Sequence, residues 1–216
     1  MQLLTNISVL VGIAVAIYGI NAWRREHTGK RRIELAEDTL ALFYEAADAI
    51  KHIRHPASFG HEMEDVQRGE SESDAQYTAR KNASVVFHRY NQYQDLFSKL
   101  HASRYRFMAQ IGKPAAKPFD ELREIVNEIT RSAQLLARYW PRDRFRTEQQ
   151  EREHFERVQK LEDIFWEGSA EEDPIKSRLA ATISSIEQTC QPVINGQSTL
   201  GGFRAWWIGQ DGDVST

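Results

Sequence analysis

The sequence predicts an all-α protein: an N-terminal transmembrane helix followed by an antiparallel bundle of four or five helices. Three observations carry this. Residues 3–23, LLTNISVLVGIAVAIYGINAW, contain no charged side chain. Beyond them, apolar residues recur at three- and four-residue steps. No stretch alternates with the period of two that a half-buried strand requires. A chain of 216 residues can hold one anchor and one domain with a sizeable core.

The apolar segment is about 21 residues long, and at roughly 1.5 Å per residue it just crosses a hydrocarbon layer about 30 Å thick. Tyr18 and Trp23 lie towards one end, where amphipathic rings favour the interface. A cleavable signal would open on a positive region and carry a shorter apolar core, whereas here the charges follow the run. They are Arg24, Arg25, Lys30, Arg31 and Arg32, against Glu26. Positive residues resist translocation, so the N-terminus is expected outside and the domain in the cytoplasm. A buried core helix would be shorter and carry charge on one side. Cys190 is the only cysteine, so no intrachain disulfide can form, in keeping with a reducing compartment. The net charge of −3 gives no strongly basic domain, which argues against a nucleic-acid binder.

The first bundle helix is predicted over 30–54, ending before Pro56, with two apolar stripes. Ile33, Ala36, Leu40, Phe43, Ala47 and Ile50 form one; Leu35, Leu42, Ala46, Ala49 and Ile53 form the other. Residues 56–74 read as an acidic loop, closed by a capping box of Ser73 and Gln76. One long helix is then expected over 74–111, ending at Gly112. Its stripe of coiled-coil-like spacing runs Ala79, Ala83, Val86, Tyr90, Tyr93, Phe97, Leu100, Arg104, Phe107, Ile111. A third begins around Pro118 and carries Phe119, Leu122, Val126, Ile129, Ala133, Leu136 and Trp140 inward. Thr147 and Gln150 suggest a second capping box, opening a charged fourth helix with Phe155, Val158, Leu161 and Phe165 on its apolar face. Asp173-Pro174 starts a fifth, with Ile175, Leu179, Ile183, Ile186, Cys190 and Val193 inward and Gly196 as its stop. The chain thus divides into an anchor (1–23), a basic juxtamembrane segment (24–32), a bundle domain (33–195) and an aromatic tail with a disordered end (196–216). A strict up-down path places the basic 112–118 turn near the bilayer, but would return the acidic 167–173 turn there too. Either the fourth helix is too short to return, or the second half packs differently.

Several surfaces are candidates for function. Arg24, Arg25, Lys30, Arg31 and Arg32 are lipid-proximal and would attract anionic headgroups, or serve only to set topology. Ser8, Gly12 and Ala16 form a small-residue line suited to close helix packing in the membrane and self-association. Arg104 is the one charge on its stripe; a buried arginine needs an acidic partner, for which Glu45 and Asp48 are candidates, or it snorkels into water. In the tail, Phe203, Trp206, Trp207 and Ile208 group between glycines, as a lid on the bundle, an interfacial insert or a partner contact.

Catalytic patterns are missing from the sequence. Glu151 and His154 have the E-x-x-H spacing of di-iron bundles, but the second such pair and two further glutamates are absent. His52, His55 and His61 lack partnered spacing, and Gly29-Lys30 lacks the upstream glycine of a P-loop. Cys190 on an apolar stripe reads as a buried structural thiol. No cofactor, metal site or enzymatic activity is therefore expected. Segments 29–54 (GKRRIELAEDTLALFYEAADAIKHIR) and 100–122 (LHASRYRFMAQIGKPAAKPFDEL) give the chain a layout that resembles uncharacterised bacterial inner-membrane proteins with a short external N-terminus, one anchor and a helical cytoplasmic domain. The resemblance implies a bacterial inner-membrane location and assigns no functional residue. The expected function is a membrane-anchored interaction or regulatory module, with a ligand-, lipid- or metal-binding bundle as the alternative.

Overall fold

The computed structural model describes residues 2–142 and 144–196, with side chains at all of these except 2–11 and 14. Among the described residues the protein is all-helical. It has six α-helices: α1 (Gln2–Ile53), α2 (Asp74–Gln92), α3 (Gln94–Gln110), α4 (Lys117–Tyr139), α5 (Glu148–Phe165) and α6 (Pro174–Ile194). Short 3₁₀ turns at Gly60–Met63 and Lys113–Ala116 complete it. Residues 2–38 together with 188–196 form one compact unit, and Thr39–Glu187 form the other.

The layout departs at two places from the expected anchor helix plus four or five bundle helices, and the two offset each other in number. The expected anchor and first bundle helix are one uninterrupted helix, α1, because neither Gly nor Pro breaks residues 30–53 and charged residues carry the helix past Trp23. The expected second helix is broken at Tyr93 (φ −105°, ψ 11°), whose N–H bonds to the Tyr90 carbonyl three residues back. A stripe stepping three and four drifts around a straight helix by about 20° per heptad. At the break Tyr90, Tyr93 and Phe97 are only half-buried, while Leu96, Leu100, Ser103 and Phe107 take the inward face of α3.

In the Thr39–Glu187 unit α4 is the central element. Phe119, Leu122, Ile125, Val126, Ile129, Ala133 and Leu136 are all buried, and the helix packs against both α2 and α5. The Phe119 ring meets Phe43 of α1 edge-on at 4.9 Å and Phe107 of α3 at 5.4 Å, joining three helices in one aromatic contact. The starts of α2, α4, α5 and α6 fall within a residue of those the sequence predicts. The Ser73 hydroxyl accepts from the Gln76 N–H and the Gln76 side chain accepts in return from Ser73. Thr147 caps Gln150, but the Gln150 side chain accepts from Arg146 instead, so the second box is only half formed. On α5 the expected apolar face is incomplete: Phe165 is buried but Phe155 is 68 % exposed.

The C-terminal end of α1 organises the unit through two buried arginines. Arg54 donates from Nε to the Ile164 carbonyl and from Nη2 to the Asp163 and Trp166 carbonyls, all at 2.8–2.9 Å. Its Nη1 reaches Asp173 Oδ2 at 3.0 Å. These carbonyls are the open end of α5, and Asp173 in turn accepts the first N–H groups of α6, from Ile175 and Lys176. One guanidinium therefore supplies the donors that helix C-termini lack, while its carboxylate partner supplies the acceptor that an N-terminus lacks. Arg89 of α2 does the same for α1. It donates to the carbonyls of His52, His55 and Ala57 and pairs bidentately with Glu62 at 2.6 and 3.0 Å. The acidic 56–74 loop is thereby folded inward around Glu62, and Glu72 is held likewise by Arg80.

This arrangement decides the topology of the second half. α5 is too short to return, and the 167–173 turn sits at the C-terminal end of α1, where the Glu167 N–H bonds to the Arg54 carbonyl at 2.8 Å. α6 then runs back along the unit, with Arg178 paired to Glu121 and Glu128 of α4 and the Tyr44 hydroxyl donating to Glu187 at 2.6 Å.

Two outcomes follow for stability. Replacing Arg54 by Ala leaves the buried Asp173 charge without its cation and three carbonyls without the guanidinium donors, a loss of about 3–5 kcal/mol in chemical denaturation of the full chain. The double change with Asp173→Ala should cost less than the two single losses summed, because the orphaned charge is gone. The second outcome concerns acid. Hydrogen bonds from Arg89 hold the Glu62 carboxyl at about 2 rather than its ordinary 4.5. A depressed carboxylate stabilises the folded state fully above its unfolded pKa, and the stabilisation disappears as protons bind. Stability should therefore fall as pH drops from about 4.5 towards about 2, with a shallower slope in Glu62→Gln.

Candidate functional site

The most unusual surface lies on α1 before the bundle begins. Ile13, Val15, Ile17, Tyr18, Ile20 and Trp23 are each between 52 % and 71 % exposed. At about 100° per residue these positions point around the whole circumference of the helix. A surface helix of a water-soluble domain is apolar on one stripe only, and apolarity on all sides marks a helix that something apolar must surround. The next turns change character abruptly. Arg24, Arg25, Lys30, Arg31 and Arg32 are all exposed, and the Trp23 ring stacks on His27 at 5.4 Å and 8° at the boundary. Among the described residues no helix is long and apolar enough to cross a membrane, so the expected span finds no support there. Gly12 and Ala16 of the small-residue line are exposed; Ser8 lies outside the described side chains, as do Phe203, Trp206, Trp207 and Ile208 of the tail.

A second site is a groove of about 400 Å³ beside the helix break, between α2–α3 and α4. Its floor is Leu100, Phe119, Leu122 and Val126, and the stacked rings of Tyr90 and Phe97, 5.3 Å apart, form one wall. Arg104 stands here, not against α1: its Nη2 pairs with Asp120 Oδ2 at 3.0 Å, and Arg123 approaches the other carboxylate oxygen at 3.6 Å. The expected partners Glu45 and Asp48 are exposed on α1, Asp48 bonding Lys51. The drift of the stripe after Tyr93 is what turned Arg104 towards α4. Its Nε is buried without a partner, so the guanidinium retains an unused donor.

The metal spacing on α5 does not assemble. His154 lies between the rings of Tyr139 and Phe145, at 6.0 and 4.9 Å, with Arg142 and Arg157 over those rings. Burial and the two guanidinium charges lower its pKa, favouring a neutral ring, but Glu151 is exposed to solvent. Among the described residues no three His, Cys, Asp or Glu side chains converge on a point where a metal could sit.

The residues that bear most on structure were not singled out by sequence. Arg89 is 1 % exposed, on a second stripe with Val85, Leu96 and Ser103 that the alternation through Val86 and Tyr90 hides. Arg54, directly after the last apolar residue of α1 and two before Pro56, carries the only available signal, a basic residue at a helix C-terminus.

No family model, curated protein or solved structure matches the chain.

Cys190 is fully buried, and burial alone pushes its thiol from 9.0 up to about 12. The native protein should therefore resist a thiolate-directed alkylating reagent at mildly alkaline pH. Labelling, read by intact-mass spectrometry, should appear only on denaturation.

Proposed function

We propose that the chain is a membrane-anchored helical interaction or regulatory module of the bacterial inner membrane, with its N-terminus outside and its bundle in the cytoplasm. The observation that carries this reading is the all-round exposed apolar surface from Ile13 to Trp23, followed on the same helix by the basic collar from Arg24 to Arg32. In the sequence the uncharged run extends from Leu3 to Trp23, about 21 residues, which supports a bilayer span, and the collar supports the orientation. The bundle then stands at the membrane surface as a platform for a protein partner or a second copy of the chain. In the 56–74 loop the accessible acidic groups are Glu64, Asp65, Glu70 and Asp74, since Glu62 and Glu72 are turned inward by Arg89 and Arg80. The groove beside Tyr90 and Phe97 supports the alternative, a small-molecule site in the bundle, because its volume and mixed lining fall in the usual ligand range.

Membrane fractionation with alkaline carbonate washing, followed by crosslinking and mass spectrometry of copurifying proteins, tests the proposal. The full chain should stay in the washed pellet and bring down one stoichiometric partner or itself, and removal of residues 2–23 should release it. Appearance of the full chain in the soluble fraction overturns the anchor. Recovery of a monomer without any partner overturns the interaction module in favour of the groove.

A further inference from the structure

The groove beside the helix break is lined by three helices and is apolar at one end and charged at the other. Where the chain turns at Tyr93, the stacked rings of Tyr90 and Phe97 stay half-buried beside the buried side chains of Leu122 and Val126. α3 and α4 are joined by the short Lys113–Ala116 turn, so residues late in α3 face residues early in α4. Arg104, Asp120 and Arg123 therefore lie at the turn end of the groove, six or seven residues from Phe97 and Val126. At about 1.5 Å per residue the two ends are separated by roughly 10 Å.

The charged end is incompletely matched. Arg104 Nη2 meets Asp120 Oδ2 at 3.0 Å, and Arg123 stands 3.6 Å from the other oxygen of the same carboxylate. The Arg104 Nε is buried without a partner, and its Cζ lies 5.7 Å from the Tyr105 ring, which holds the fork in place. Glu121 does not line the groove; it is taken up by Arg178. Two guanidinium groups thus share one carboxylate, and the groove carries a surplus of one positive charge. A second carboxylate would balance it and occupy donors that Asp120 leaves unused, and a planar fork suits that group. A phosphate monoester, with about 1.5 to 2 negative charges at neutral pH, would overfill the charge and be repelled by Asp120.

We propose that this groove binds a small monocarboxylic acid with an apolar body. Its carboxylate meets Arg104 and Arg123, and its apolar body lies against Tyr90 and Phe97 over Leu122 and Val126. The inference deepens the reading of the groove as a small-molecule site, on which it rests, and it depends on nothing in α1 before the bundle.

The test titrates 4-phenylbutyrate, a ring on a short chain, and its uncharged amide, 4-phenylbutanamide, into the full chain in nonionic detergent. Binding is read by isothermal calorimetry against detergent alone. The acid should bind at least about tenfold more tightly than the amide, which lacks the charged hydrogen bonds. Arg104→Gln should bring the acid to the level of the amide while leaving the amide within about twofold. Asp120→Asn releases both arginines from their present carboxylate and should strengthen acid binding by about fivefold or more, a gain that a misfolded variant cannot mimic. Arg106→Gln removes an exposed charge outside the groove and should leave both affinities as they are. Ser98→Trp, at an exposed position of the lining, fills the groove and should abolish both. Equal affinities for acid and amide, both lost in Ser98→Trp, overturn the carboxylate assignment and leave the groove a ligand site. Acid binding unchanged or weakened in Asp120→Asn overturns the charge balance behind that assignment. A loss in Arg106→Gln equal to that in Arg104→Gln overturns the site in favour of diffuse attraction. Binding of neither probe, or binding untouched by Ser98→Trp, overturns the groove reading itself, and the inference with it.

Discussion

The structure turns on the C-terminal end of α1, where the carbonyls of His52, Ile53, His55 and Ala57 take a donor from the Arg89 guanidinium. Buried backbone acceptors without donors cost about 1–3 kcal/mol each. Two arginines remove that cost, Arg89 from α2 for the carbonyls at the end of α1 and Arg54, the residue after α1, for the end of α5. Each guanidinium is neutralised by one carboxylate, Glu62 or Asp173. Four segments thus converge on one point: the α1 terminus, the Gly60–Met63 turn, the α5 terminus and the α6 start. Their relative positions are set by charged hydrogen bonds and not only by apolar fit.

Burial alone would raise Asp173, yet the Arg54 guanidinium and the N–H groups of Lys176 and Gly168 bring its carboxyl below the ordinary value. A carboxylate that caps a helix and neutralises a buried arginine is worth more ionised than protonated. The acidic loops at 56–74 and 166–173 therefore have a structural use. They supply the anions for a fold whose helix ends are closed by arginine. This is also why the chain does not follow a simple up-down path: Asp173 must reach Arg54, which holds the turn before α6 at the end of α1.

Most helix positions were legible in the sequence because each rests on local chemistry. Ser73 with Gln76, Asp173-Pro174 and the apolar stripes of α1, α4 and α6 all act within a few residues of where they are written. What was not legible depends on contacts distant in sequence. The break at Tyr93 follows no Gly or Pro. It appears where the stripe of Tyr90, Tyr93 and Phe97 would have had to stay inward, and α3 instead turns Leu96 and Ser103 towards the core beside the expected Leu100 and Phe107. Arg104 was read as inward on that stripe and so was given partners on α1; one change of register moved it to Asp120 of α4. Arg89 and Glu62 are 27 residues apart and Arg54 and Asp173 are 119 apart, so neither pairing has a spacing rule to betray it. For the candidate site, the five basic residues were plain in the sequence, but the continuity of α1 through Trp23 into the bundle was not.

The choice of arginine over lysine connects the two parts of the protein. Among the described residues every ion pair that joins separate segments of the bundle uses Arg: Arg54, Arg68, Arg80, Arg89, Arg104 and Arg178. Among the described residues, lysine enters one ion pair, the exposed Lys51–Asp48 contact within α1, and all lysines but Lys81 are exposed. A planar fork can satisfy a carboxylate and several carbonyls at once, which an ammonium cannot do with comparable geometry. The collar keeps the same preference, with four arginines to one lysine. A topology signal would be met equally by lysine, since it depends on charge alone. Within the bundle, by contrast, geometry decides, because one fork there closes several carbonyls and a carboxylate at once.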